Sequence, residues 1–400
     1  MSKTTCPSLG AVWCRAERED EVCYTCGGLI GATTLFRTFQ VERSNPRPVS
    51  MPGSRRRWAL GRTIAVFDRH FECAQTHHVA YVTVSHVWHK LISTLHSCGT
   101  EQLHDNPETA TEASNLIFRE IIAVYDGFCE SYGRPLEMWL DYLSIPQWAH
   151  ETKVNILMNI GNIYASSLLT VVLWHDVDQT AVQVIRRSSG APTDRLIAAI
   201  THICSGAWQR RMWTAMEYLR SAQVRVMLRG YILCDDGDDL FMERIEDLWQ
   251  QASNRLGSML DLEAAAGLHR NHLVPWQIRG LTSTRKSSAN HFALAFQHLA
   301  LKGCAVPLDF YYALGGLVGF QERLVPPLAG ARWQIMKFCL EKQDYSPILM
   351  PPYRHTASNA SSSASMISDL GVSALPYRKP GSGCPSEAPG LCSMHNPWAS

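Results

Sequence analysis

Residues 138–147 read MWLDYLSIPQ. Three apolar residues run into Asp141, and the chain then stops at Pro146 and Gln147. A carboxylate in an apolar run is costly unless it is paired, or unless the strand opens there onto a cleft. The stretch LEMWLDYL (136–143) therefore reads as a buried strand whose carboxyl-terminal end carries polar residues. Strands that are apolar on both sides belong to a sheet covered on both faces.

The neighbouring segments repeat the pattern. VAYVTVS (79–85) is short and β-branched, and LLTVVLW (168–174) is continuously apolar, so both read as strands. Residues 109–133 predict a helix, because Ile117, Ile121, Val124 and Phe128 recur at helical spacing. Thr109 and Glu112 suggest a capping box at its start, and Gly133 a stop. Val154, Leu157, Gly161 and Tyr164 mark the face of another helix. Further helices are expected at 193–204, 210–222 and 240–256, the last capped by Asp238 or Asp239. VRVML (224–228) alternates and suits a strand nearer the sheet edge. Strands separated by helices imply parallel βαβ units with right-handed crossovers. The fold class is α/β, followed by a mainly helical carboxyl-terminal region with helices near 290–302, 309–320 and 326–342.

The boundaries follow from composition. Residues 1–57 read as an irregular amino-terminal segment ending in NPRPVSMPGSRRR, with Arg55–Arg57 solvated. Residues 58–235 form the α/β domain and 236–345 the helical extension. The tail, 346–400, is Ser-, Pro-, Ala- and Gly-rich from 355 and is expected to be disordered. Apolar residues make up 46% of the 400, enough for a sizeable core. With 37 basic and 36 acidic residues, no general attraction to nucleic acid or membrane follows. No secretory signal or membrane span is read; residues 156–174 are apolar but change periodicity midway. Thirteen scattered cysteines then imply free thiols in a reducing compartment, hence a cytoplasmic protein.

Ligands of open parallel sheets bind outside the carboxyl ends of the strands. Polar residues gather at those ends here: Ser85, His86, Trp88 and His89 after the first strand, Asp141 and Gln147 after the second. In RRMWTAMEYL, Trp213 and Glu217 are four apart and share a helix face. Spacing alone leaves a structural role open for each. Asp141 equally suits a turn cap or an arginine partner, and Glu217 equally suits a surface carboxylate paired with Arg210, Arg211 or Arg220. The two tryptophans equally suit core packing.

YVTVSHVWHK (81–90), MWLDYLSIPQ (138–147), MNIGNIYASSLLTVVLW (158–174), WQRRMWTAMEYL (208–219) and VPLDFYYALGGLVGF (306–320) resemble, in order, the motifs of the fungal heterokaryon-incompatibility (HET) domain. The matching positions are Tyr81, Ser85 and Trp88; Trp139, Asp141, Leu143, Ile145 and Gln147; Met158, Ile163, Tyr164 and Ala165; Arg211, Trp213, Thr214 and Glu217. The chain departs from the family at His86 and His89 (Tyr and Gly), Ser144 and Pro146 (Cys and Asn) and Met216 (Gln). If the family glycine serves a positive φ, His89 strains or blocks the site.

The resemblance implies a flavodoxin- or TIR-like, mostly parallel sheet, because the HET domain is distantly similar to the TIR domain. Some TIR domains cleave NAD at the nicotinamide–ribose bond with a glutamate in a Trp-Cys-x-x-Glu helix. WTAME (213–217) occupies the similar position, which makes Glu217 the catalytic candidate. Ser85, Trp88, Asp141, Gln147 and Trp213 are the substrate-binding candidates. A carboxylate suits the chemistry, since breaking an N-glycosidic bond develops positive charge on the ribose. The family further implies a role in non-self recognition or programmed cell death. Self-association, or another cell-death protein as partner, goes with it. No cofactor is expected, with NAD as substrate. The alternatives are a non-catalytic homotypic signalling module and a degenerate paralogue.

Cys23 and Cys26 form a CxxC, with Cys6 and Cys14 upstream. A zinc knuckle needs a second ligand pair close by, so free thiols are expected and no metal is assigned. His77, His78, His86 and His89 are read as hydrogen-bonded or exposed. GGLIG (27–31) lacks the ending and preceding strand of a phosphate loop.

Overall fold

The computed structural model describes residues 21–31, 34–42, 54–59, 62–98, 107–133, 135–188, 191–234, 244–249, 251, 291–300, 302–304 and 306–349. Its centre is one eight-stranded mixed sheet in the order β2-β3-β1-β5-β4-β6-β7-β8. The strands are β1 (Leu35–Glu42), β2 (Ser54–Ala59), β3 (Arg62–His70), β4 (Tyr81–Ser85), β5 (Glu137–Trp139), β6 (Leu169–Trp174), β7 (Val224–Leu228) and β8 (Ile232–Leu233).

The four middle strands are parallel: β4 pairs with β5 and β6, and β6 with β7. These are the strands expected from the sequence, and their helical crossovers match too. They include α3 (Pro107–Tyr132), α5 (His150–Ala165), α7 (Thr193–Cys204) and α9 (Met212–Arg220). Short helices α1 (Phe71–Thr76), α2 (Lys90–Cys98), α4 (Asp141–Ser144), α6 (Gln179–Arg186) and α8 (Ala207–Arg210) complete the α/β part. The α3 stripe of Ile117, Ile121, Val124 and Phe128 is fully buried against one face of the sheet. Gly133 ends the helix with φ of 77°. The helix begins at Pro107, so Thr109 lies inside its first turn and is not the expected cap.

Alternation along the strands assigns the two faces. Val82, Val84, Leu169, Val171 and Leu173 pack with α3, while Val172, Trp174, Val224 and Val226 pack with α6 and α7 on the other face. The strand expected over 136–143 is shorter than read. It stops at Trp139, and Asp141 instead opens the helical turn α4.

Residues 1–57 are not uniformly irregular. β1 lies inside this segment and β2 crosses its end; with β3 they add antiparallel strands to the sheet, β1 pairing with both β3 and β5. Arg55–Arg57 lie in β2, not in a connector. Buried charges hid β1 from a reading by alternation. Arg37 and Asp68 form an ion pair of 2.6 Å, and Arg69 grips both oxygens of Glu137 at 2.7 Å. Each partner neutralises a charge that would otherwise be costly to bury. Residues 350–400 of the tail expected from 346, Asp238, Asp239 and most of helix 240–256 lie outside the described residues; residues 244–249 are helical.

The carboxyl-terminal helices α10 (Phe292–Ala300), α11 (Pro307–Val318) and α12 (Leu328–Glu341) follow the sequence reading, whereas the helical turn α13 (Ser346–Leu349) falls where the disordered tail was expected to begin. The first three share a core with α5 and α9. At the crossing of α5 and α11 the backbones touch: a Cβ on Gly161 would stand 2.5 Å from the Gly316 carbonyl oxygen. No helix among the described residues is long and apolar enough to cross a membrane.

Candidate functional site

The chain leaves β4 toward β5 on one side, through α3, and leaves β6 toward β7 on the other. The carboxyl ends of β4 and β6 therefore flank the point where connections diverge, the position at which open α/β sheets bind ligands. Ser85 is the last residue of β4. Its Oγ donates to Glu217 Oε2 at 2.5 Å and accepts from Trp208 Nε1 at 2.8 Å. The helical turn of α8 carries Trp208, whose ring lies 6.3 Å from that of Trp174 at the end of β6. Arg211 is extended between α8 and α9, and this bend sets Glu217 against the strand end.

Next to Ser85, His86 is sandwiched between two carboxylates. Its Nε2 lies 2.6 Å from Asp141 Oδ1 and its Nδ1 2.7 Å from Glu120 Oε1 on α3. Trp88 Nε1 donates to the other Asp141 oxygen at 2.5 Å. α4 is shaped to present Asp141: Ser144 Oγ accepts from Leu140 N, and Gln147 Nε2 donates to the Asp141 carbonyl at 3.3 Å. Tyr142 packs edge-on against His86 at 4.4 Å, and its hydroxyl accepts from His89 N.

The electrostatics of the cluster are uneven. Burial raises the Glu217 carboxyl to about 7; the Ser85 hydroxyl pulls it down, the Asp141 charge pushes it up, and His86 and Arg211 oppose that. Burial alone would lower His86, but Asp141 and Glu120 outweigh it and raise the imidazole to about 10. His86 is thus an imidazolium that donates from Nε2 to Asp141 and holds Glu120 at ion-pair distance from Nδ1. Burial disfavours the Asp141 anion too, yet His86, Trp88 and Arg211 hold the carboxyl below its usual value. Arg211 lies within electrostatic reach of Asp141, Glu217 and Asp309. Lys153 lies within reach of Asp141 and Asp309, and burial lowers its pKa.

Three of the expected residues, Ser85, Asp141 and Glu217, thus share one rim. Trp88 joins them through Asp141. Gln147 is buried and spends its amide on the α4 turn. Trp213 donates to Asp309 Oδ2 of α11 at 3.2 Å, tying α9 to the carboxyl-terminal helices. Glu217 is not the surface carboxylate that spacing also allowed. It is 8% exposed, and Arg220 bonds Gly161 O and Asn162 instead.

The departures from the family pattern also find places. His89 is exposed and is not among the residues with positive φ, so no backbone strain attends it. Met216 is fully buried between α9 and α11, its sulfur beside Gly316. Sequence reasoning missed Trp208, Glu120, Lys153 and Asp309 as members of the cluster. None of them carried a signal in the sequence; half-buried Glu120 of α3 meets His86 only through the fold.

Away from the rim, Cys23, Cys26, His70 and Cys73 place their ligand atoms within 4.8 Å of one another. Cys6 and Cys14, the upstream thiols weighed as partners, lie outside the described residues. No family model, curated protein or solved structure matches this chain.

Proposed function

We propose that this chain is a HET-like module of fungal non-self recognition, cytoplasmic and acting on assembly, that hydrolyses NAD at the nicotinamide–ribose bond. One observation carries the reading: a serine at the carboxyl end of β4 hydrogen-bonds, at 2.5 Å, a buried glutamate whose carboxyl titrates near neutrality. The parallel order β5-β4-β6-β7 supports it, being the 2-1-3-4 arrangement of flavodoxin- and TIR-like sheets with the site at their switch point.

In the reaction the C1′–N bond breaks and its electron pair leaves with nicotinamide, which becomes neutral. Water forms the new C1′–O bond and releases a proton. Glu217, as the anion, stabilises the positive charge that develops on the ribose. Ser85 orients the carboxylate, and Trp208 orients Ser85. Arg211 and Lys153 supply positive charge for the diphosphate. Trp88 offers an aromatic wall beside Asp141.

A second reading, a non-catalytic interaction module, is favoured by the saturation of the cluster. Both Asp141 oxygens are bonded, and Ser85 is fully buried. The assay that separates them uses purified chain held in a fused oligomer with NAD at pH 8, following nicotinamide. The enzymatic reading expects release that disappears in a folded Glu217→Gln variant. Absence of release from the assembled wild type leaves the interaction module standing. Release that persists in Glu217→Gln removes Glu217 from the chemistry.

A further inference from the structure

The CxxC at the amino-terminal edge has its second half downstream, at the junction of β3 and α1, where His70 and Cys73 repeat the two-residue gap. We infer that Cys23, Cys26, His70 and Cys73 form a structural zinc site that fastens residues 21–31 to the edge of the sheet.

The dimensions fit. Tetrahedral zinc with Zn–S of about 2.3 Å and Zn–N of about 2.0–2.1 Å spaces sulfur from nitrogen by about 3.6 Å and sulfur from sulfur by about 3.8 Å. His70 Nδ1 lies 3.4 Å from Cys26 Sγ and 3.5 Å from Cys73 Sγ. All four ligand atoms fall within 4.8 Å of one another.

The imidazole is also set for the task. Its Nε2 lies 2.8 Å from the Leu29 carbonyl, so this nitrogen donates and the Nδ1 lone pair faces the three sulfurs. Backbone amides support the thiolates: Gly28 N donates to Cys26 Sγ and His70 N to Cys23 Sγ, each at 3.4 Å. Gly27, with φ of +71°, makes the turn that brings both cysteines to one side. At Gly28 even a Cβ would sit 3.4 Å from Cys26 Sγ.

The location supplies a reason for a metal. Among the described residues, the hairpin closed by the Val22–Leu29 bridge has a small buried cluster of Cys23, Ile30 and Leu35, with Cys73 beside it and Tyr24 edge-on to Phe67. So few buried side chains are a small counterweight to the entropy of ordering the whole segment. A closed Cys3His site supplies the missing constraint. Its three thiols each release a proton on binding, leaving a complex of net charge −1.

The test uses the full chain, purified under reducing conditions without chelator, with zinc measured by elemental analysis. One equivalent per chain is expected. After removal of zinc, titration with Co(II) is expected to give thiolate charge-transfer bands and intense visible d–d bands of a tetrahedral site, displaced by added Zn(II). Cys26→Ser and Cys73→Ser should each lose the bound metal. His70→Cys, which keeps four ligands, should retain it even if the serine variants fold poorly. A folded, fully reduced wild type that carries no zinc and gives no tetrahedral Co(II) spectrum overturns the site. So does metal retained in full by both serine variants. A Cys23–Cys26 disulfide in the isolated protein, with no Co(II) uptake after its reduction, also overturns it.

Discussion

Replacing Glu217 by Gln isolates the energetic consequence of burying a carboxyl under Ser85. Burial is the main cause that raises this group from 4.5 to about 7. The folded value is above the unfolded one, so its contribution to stability is fully present below about 4.5 and is lost as pH rises through about 7. A displacement of that size corresponds to roughly 3 kcal/mol at alkaline pH. Gln has nearly the same shape, accepts from Ser85 Oγ through its amide oxygen, and never ionises. The two proteins should therefore unfold alike near pH 4.5. Above pH 8 the Gln variant should be the more stable by up to roughly 3 kcal/mol, a displacement on the order of 1 M in the urea midpoint. The contributions of His86 and Asp141 largely cancel in the difference between the two proteins. Urea unfolding followed by tryptophan fluorescence at both pH values measures it. An offset that is the same at both pH values, or a Gln variant less stable at pH 8.5, would refute the reasoning.

Three further outcomes are expected. The nicotinamide-release rate at low NAD should rise with pH through about 7, as Glu217 ionises; a flat profile between pH 6 and 8 excludes it as the essential anion. His86→Ala leaves the Asp141 and Glu120 carboxylates without their shared cation and should cost about 3–5 kcal/mol near neutral pH. Because His86 is raised from 6.5 to about 10, its stabilisation is complete below 6.5 and fades as pH climbs through about 10, so the penalty measured by denaturation should shrink over that window. Gly161→Ala drives a Cβ to 2.5 Å from Gly316 O and should lower stability by about 1–3 kcal/mol or more; an unchanged melting temperature would mean the two helices do not touch.

The parallel centre of the sheet was legible because its strands are short apolar runs between helices of clear period. Ser85 and Asp141 were legible because strand ends are where such sheets expose polar groups, whereas Glu217, on a helix, was singled out by the family resemblance and not by spacing. The amino-terminal antiparallel strands were not, because LFRTFQVE carries Arg37 and Thr38 inward, and their partners Asp68 and Glu137 lie far along the chain. The same distance hid the Cys/His cluster: His70 and Cys73 follow Cys26 by more than forty residues, and only the β1–β3 pairing returns them to it. Glu120 was read as one residue of an amphipathic helix, and only the fold shows that it reaches His86.

The bare backbone contact between Gly161 and Gly316 has a consequence for how the chain is partitioned. Helices separated by only peptide groups slide or swap poorly, so the segment after residue 306 acts as a keystone for the helix that carries Glu217. A fragment ending at the last strand would leave α5 and α9 with an uncovered oily flank. Expression of the α/β half by itself should accordingly give an aggregating product, whereas a chain ending after α12 retains every wall that α9 leans on.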